Sequence, residues 1–131
     1  MTTRRAACSC GQLRVTTEGE PTRISMCHCL DCQRRTGGTF GVQARFPEEN
    51  VQIEGPSTAY TRVGDSGNRA TFHFCPTCGA TVFYRLEAVP GSVAVPVGAF
   101  ADPSFPPPRV SVYEERMHAW TGIPADAEHF D

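Results

Sequence analysis

Three closely spaced cysteines are the residues of this chain best suited to chemistry. Cys27, Cys29 and Cys32 stand in the spacing C-x-C-x-x-C. Thiolates two and three residues apart can converge on one metal ion, about 2.3 Å from each sulfur. Because zinc prefers four ligands, three thiolates would leave one coordination position free for water or a substrate. The stretch therefore predicts an open zinc site with these cysteines as its candidate catalytic residues.

The other four cysteines form two pairs, which predict a second and closed zinc site. Cys8 and Cys10 are separated by one residue, and Cys75 and Cys78 form a C-x-x-C motif followed by Gly79. A glycine at that position permits positive φ, which turns backbone N–H groups toward the sulfurs, as in zinc knuckles. Four thiolates would complete a tetrahedral site that stabilises the fold. A redox pair at Cys75 and Cys78 is the rival interpretation, but the βαβ pattern that usually surrounds such a motif is absent.

The charge of the open site favours thiol chemistry over hydrolysis. Zinc with three thiolates carries a net negative charge, so it activates water less well than zinc held by neutral histidines. An incoming thiolate would complete a four-sulfur sphere and stay nucleophilic. A nucleobase deaminase is excluded, because no Glu lies two residues after a Cys or His and no Pro precedes Cys75.

Three side chains near the open site have roles that the sequence leaves open. His28 as a fourth ligand would close the site. In an extended segment, however, its side chain points opposite to those of Cys27 and Cys29, which favours a supporting or solvent-facing position. Arg34 and Arg35 could hold a substrate carboxylate or form a solvated helix face.

Composition limits the class of protein and its partners. The 131 residues include 12 basic and 14 acidic side chains, for a net charge of −2, and no lysine. This balance argues against nucleic acid as a partner, since nucleic-acid binding requires a basic surface. We expect no membrane partner, because no apolar stretch is long enough to span a bilayer. Seven cysteines without a secretory signal predict metal-bound thiolates in a reducing cytoplasm.

Period-two alternation of apolar residues predicts short antiparallel strands along the chain. The alternating runs begin at Leu13, Phe40, Phe72, Val82, Val93 and Val110. Pro96 predicts an edge or a bulge for its strand. Leu30 to Thr36 predicts a short helix that ends at two glycines. The stretch from Gly64 to Asn68 predicts a plain hairpin loop in preference to a lid, and Tyr113 and Trp120 are expected to pack at the end of a sheet.

With both cysteine sets placed, the chain resembles the glutathione-dependent formaldehyde-activating enzyme family, which also includes centromere protein V. The matching segments are Cys8-Ser-Cys10-Gly, Cys27-His-Cys29-Leu-Asp-Cys32-Gln-Arg-Arg-Thr-Gly and Phe74-Cys75-Pro-Thr-Cys78-Gly, with Trp120, Ile123-Pro124 and Phe130 near the end. The resemblance implies an all-β fold, the Mss4-like β-tent of antiparallel sheets with one or two short helical turns. We expect one zinc-binding domain over residues 1–131.

The resemblance also implies two zinc ions per chain. The structural zinc would bind Cys8, Cys10, Cys75 and Cys78, and the catalytic zinc would bind Cys27, Cys29 and Cys32. The implied activity is that of a carbon–sulfur lyase, which joins glutathione and formaldehyde into S-(hydroxymethyl)glutathione. A small thiol and a small aldehyde would be the substrates, and the chain would act as a monomer or homodimer. The alternative is a non-catalytic, zinc-stabilised binding module in which both metals are structural.

Overall fold

The computed structural model describes residues 1–131 as eleven strands in two sheets, with one short α-helix. The strands are β1 Thr3–Ala7, β2 Arg14–Glu18, β3 Arg23–Cys27, β4 Gly41–Pro47, β5 Val51–Glu54, β6 Thr58–Val63, β7 Arg69–Phe74, β8 Thr81–Leu86, β9 Ser92–Pro96, β10 Val110–Val112 and β11 Glu128–His129. Helix α1, Leu30–Thr36, follows β3, and single 3-10 turns lie at Glu48–Asn50, Val97–Phe100 and Glu114–Arg116. The predicted all-β class is confirmed.

The smaller sheet contains three antiparallel strands in the order β1-β2-β5. The connection between β1 and β2 carries Cys8 and Cys10. Gly55, directly after β5, has φ +96°, and a Cβ atom there would overlap the carbonyl oxygen of Gln12. The end of β5 is therefore pressed against the cysteine-bearing connection.

The larger sheet has the order β11-β10-β3-β4-β9-β8-β7-β6. Its neighbours are antiparallel except for β10, which runs parallel to both β3 and β11. Strand β9 lies in the centre, between β4 and β8, so the edge predicted from Pro96 is wrong. Because Pro96 is the last residue of β9, opposite Gln43, its missing N–H falls at the end of the ladder.

The hydrophobic core lies between the two sheets, where buried residues of one sheet pack on those of the other. From the smaller sheet and its turn come Ala6, Leu13 and Val15, and from the larger sheet come Ile24, Ala44, Phe46, Val82, Phe83, Val93 and Val95. Met26 is also buried, at 3 % exposure. Phe100 and Phe105 close the core with rings whose centroids lie 4.8 Å apart.

A smaller apolar cluster lies on the opposite face of the larger sheet. Its buried members are Ala70, Phe72, Tyr84 and Ala94, with Leu86 packed against them. Alternation in the run from Val82 predicts that Val82, Tyr84 and Leu86 share one face of the sheet. In the structure they do not. Val82 and Phe83 both join the main core, because the β7–β8 pairing shifts register between His73 and Phe74. Tyr84 is thereby turned to the opposite face.

Candidate metal centres and the adjoining cavity

Four thiols from two distant connections meet at one point. The sulfurs of Cys8, Cys10, Cys75 and Cys78 all lie within 4.8 Å of one another, and none is in a disulfide. Cys10 Sγ is 3.6 Å from Cys8 Sγ and 3.6 Å from Cys75 Sγ. Tetrahedral zinc with Zn–S bonds of about 2.3 Å needs sulfurs about 3.8 Å apart. The group therefore fits a zinc ion, and a third and fourth thiol argue against a simple redox pair.

Backbone N–H groups point at these sulfurs, as the glycine positions predict. The Leu13 N–H donates to Cys8 Sγ over 3.3 Å, and the Cys78 N–H donates to Cys75 Sγ over 3.5 Å. Gly79 adopts φ +78°, so the chain can turn directly after the second cysteine. Such donors stabilise a thiolate more than a thiol, which favours metal binding.

The second group contains Cys27, Cys29 and Cys32, whose sulfurs also lie within 4.8 Å of one another. Cys27 is the last residue of β3, and Cys29 is the N-cap of α1, where its sulfur accepts the Cys32 N–H over 3.3 Å. The helix ends at Gly37 in a left-handed conformation. The predicted helix is confirmed, and it brings the third cysteine back toward the first two.

Negative charge is shared unequally among these three thiols. Hydrogen bonds from Cys27 and Cys32 lower the pKa of Cys29 to about 2. Hydrogen bonding to Cys29 and Cys32, together with burial, raises the pKa of Cys27. Three thiolates at this spacing repel one another, so full deprotonation requires a cation among them. The three-sulfur donor set suits zinc.

His28 is fully buried and contributes no ligand atom to the three-thiol group. Its Nε2 lies 2.9 Å from Ser111 Oγ, and its backbone N–H donates to the Val112 carbonyl oxygen over 3.1 Å. The solvent-facing alternative is wrong, because β10 pairs with β3 and encloses the ring. Burial lowers the pKa of His28, and the charge of Glu114 partly opposes this. His28 thus anchors the cysteine loop to β10 and leaves the group with three side-chain ligands.

The three-thiol group forms part of the wall of a cavity of about 230 Å³. The apolar cluster of Phe72 and Tyr84 provides another wall. Four arginines also line the cavity, namely Arg35, Arg45, Arg62 and Arg69. Three thiols, a desolvated aromatic surface and several cations therefore face one small space.

No sequence pattern predicted that Arg62 and the β6–β7 loop form part of the cavity wall. The β6–β7 loop, predicted as a plain hairpin, contributes Gly64, Asp65, Ser66 and Asn68. Arg62, just before this loop, donates to Asp31 of α1 over 2.9 Å. This ion pair links the hairpin to the helix that carries Cys32.

Tyr113 and Trp120, both expected to pack at the end of a sheet, lie in different surroundings. Tyr113 lines the cavity, with φ +58° at the end of β10. Burial and the charges of Cys27 and Cys29 raise the pKa of Tyr113. Trp120 is 72 % exposed and contacts the ring of His118, because it lies beyond the last 3-10 turn in a segment with no sheet pairing. Its expected packing is wrong.

The chain is an all-β protein with two groups of cysteines, each of which could hold a metal ion. The model of the family "Glutathione-dependent formaldehyde-activating enzyme" matches residues 3–116, so the chain belongs to this family. The crystal structure of a Rhodobacter sphaeroides protein matches with a TM-score of 0.59 and 22 % sequence identity. The match covers 79 % of this chain and 91 % of that one. At this identity the match shows the fold alone. A search of curated proteins gave no match.

No helix of the structure is long and apolar enough to cross a membrane.

Proposed function

We propose that this chain is a zinc-dependent carbon–sulfur lyase that adds a small thiol to a small aldehyde. One observation carries the proposal. The thiols of Cys27, Cys29 and Cys32 form a group without a fourth side-chain ligand, and this group faces a cavity of about 230 Å³. Family membership makes glutathione and formaldehyde the default substrates.

The seven cysteines would hold two zinc ions with different roles. Cys8, Cys10, Cys75 and Cys78 would bind a structural ion, and Cys27, Cys29 and Cys32 would bind a catalytic one. When bound, the catalytic zinc would keep an incoming thiol deprotonated at neutral pH, where a free thiol of pKa about 8.5 is mostly protonated. We place this chemistry in one domain, residues 1–131, working as a monomer or homodimer in a reducing cytoplasm.

The residues around the cavity would favour addition of the thiol. In the net reaction the thiol sulfur bonds to the carbonyl carbon, and the thiol proton ends on the carbonyl oxygen. Phe72 and Tyr84, which are 4 % and 3 % exposed, present an apolar surface that keeps water from competing for the aldehyde. The Arg62–Asp31 ion pair would hold the hairpin and α1 around the reactants.

A binding module with two structural metals is the competing function, and it needs a fourth protein ligand at the second site. His28 is the nearest candidate in sequence, but neither of its ring nitrogens joins the three sulfurs, and its Nε2 is hydrogen-bonded to Ser111 Oγ. This placement supports the enzyme over the module.

Exchange spectroscopy of glutathione with formaldehyde tests the proposal, comparing the intact protein with the Cys29→Ser variant. Thiols add to aldehydes without an enzyme, so we expect a modest acceleration by the intact protein and none by the variant. Metal analysis and a thermal melt of Cys29→Ser confirm that the variant is folded. An intact protein that does no better than the variant, with other small thiols and aldehydes also tried, would show that this chain is not a thiol–aldehyde lyase.

A further inference from the structure

Two of the four cavity arginines lack both an acidic partner and a hydrogen-bond partner for a buried Nε atom. A third, Arg69, also has no acidic partner, but it is exposed. The ion pairs made by arginines involve Arg4, Arg14, Arg62, Arg85 and Arg116. Arg35 and Arg45 are not among them, and their Nε atoms are buried without any hydrogen-bond partner. Buried side-chain N–H groups normally have acceptors. Two guanidinium groups without a carboxylate partner in one small cavity leave N–H donors available to a bound anion.

Arg35 is held in a fixed position beside the three-thiol group. Its Cζ lies 5.0 Å from the ring centroid of Phe72 and 5.2 Å from that of Tyr84. It follows Cys32 by three residues on α1, so both occupy the same helix face. A Cβ atom on Gly41 would lie 3.3 Å from Arg35 Nη2 and 3.6 Å from Cys32 Cβ. The Arg35 guanidinium and the Cys32 side chain thus both lie next to Gly41 of β4.

Arg45 reaches the cavity from the neighbouring strand. The alternation that buries Ala44 and Phe46 in the core turns Arg45 to the cavity face of β4. Burial and the charge of Arg23, directly opposite on β3, lower the pKa of Arg45. A bound anion would oppose both effects, because a nearby negative charge favours the charged guanidinium.

We infer that Arg35 and Arg45 form a carboxylate-binding site, which holds a substrate carboxylate next to the three-thiol group. A carboxylate matches the paired N–H donors of a guanidinium. Formaldehyde has no group that could use these donors. The cavity of about 230 Å³ is smaller than the roughly 300–1,000 Å³ of sites for drug-sized ligands, so it encloses only a short carboxylate-bearing segment.

This inference deepens the proposed function and rests on it for the reacting partner. The carboxylate can belong to the thiol, as in a mercapto acid, or to the aldehyde, as in a 2-oxo acid. Arg34, the other candidate from the sequence, is exposed and does not line this cavity. The adjacent arginine therefore serves as a matched control.

Calorimetric titration of the zinc-loaded protein tests the site, with 3-mercaptopropionate compared with 3-mercaptopropionamide. We expect the wild type to bind the carboxylate about 10- to 100-fold more tightly, the range for hydrogen bonds to a charged group. Arg34→Gln should keep this preference, and Arg35→Gln and Arg45→Gln should lose most of it. A second arm compares glyoxylate with acetaldehyde, and the arm that shows the preference identifies the partner that carries the carboxylate.

Zinc content and a thermal melt of each variant separate this role from a structural one. If Arg35→Gln loses zinc and binds both probes equally weakly, then Arg35 only balances the thiolate charge and the inference fails. It also fails if neither arm shows a preference for the carboxylate. If Arg35→Gln does not fold, the preference for the carboxylate over the amide is measured in Arg35→Lys and Arg45→Gln instead. A carboxylate preference without accelerated thiol addition would contradict the proposed function and leave the carboxylate site standing.

Discussion

Replacing Cys78 by serine separates metal binding from packing at the four-thiol group, because the Cys78 side chain is exposed. Substitutions at exposed positions away from special features change the free energy of unfolding by less than about 0.5 kcal/mol. Structural zinc sites bind with apparent energies of about 10–16 kcal/mol. Divided among the four thiolates of the group, this gives about 3 kcal/mol for one ligand. If Cys78 binds zinc, Cys78→Ser should therefore lower the free energy of unfolding several times more than a substitution at an ordinary exposed position.

Thermal melts of the zinc-loaded proteins measure this difference. For a chain of 131 residues, a loss of about 3 kcal/mol lowers Tm by roughly 10 °C. Ser9→Ala, at the exposed position between Cys8 and Cys10, is the matched control and should leave Tm almost unchanged. Cys29→Ser should lower Tm less than Cys78→Ser does, because the three-thiol group lies on a scaffold that the core already stabilises. The reasoning is refuted if Cys78→Ser melts within about 2 °C of the wild type, or if Cys29→Ser is equally destabilising.

Two glycine substitutions test contacts on which the sites depend. Gly55→Ala should lower the free energy of unfolding by at least about 2 kcal/mol in urea titrations, because it combines positive φ with overlap on the Gln12 carbonyl. Gly67→Ala, at φ +85° in open space, should cost only about 1 kcal/mol, and equal costs would contradict the predicted overlap. Gly41→Ala should displace Arg35 and weaken the calorimetric preference for 3-mercaptopropionate, whereas Gly98→Ala, with nothing near its Cβ, should not. An unchanged preference in Gly41→Ala would show that Arg35 can move without loss of carboxylate binding.

Local sequence signals predicted the elements that carry the cysteines. Short spacings between cysteines limit how far apart their sulfurs can lie, and the structure brings both groups together. Helix α1 matches its predicted bounds, because the residues that begin and end it, Cys29 and Gly37, lie directly beside it in the sequence. The helix and the three-thiol group depend on interactions within a few residues, whereas the four-thiol group also requires two cysteine pairs about 65 residues apart to meet.

Long-range pairing determines the features that the sequence did not predict. His28 is buried because β10 pairs in parallel with β3, about 80 residues away in the chain. The cavity joins Arg45 on β4 to Arg35 on α1 and to the β6–β7 loop, and no local pattern encodes this meeting. A central strand can contain Pro96 because this residue is the last of β9. Alternation does not locate the end of a strand to within one residue, so the sequence could not show this.

Zinc analysis during graded chelation tests the central claim most directly, with unfolding and activity followed on the same samples. Four ligands at one group and three at the other predict two zinc ions per chain that leave in separate phases. We expect the first ion to leave with the activity while the fold persists, and the second to leave as the protein unfolds. A single zinc ion, one phase of loss, or unfolding with the first ion would contradict the division into an open catalytic site and a closed structural site.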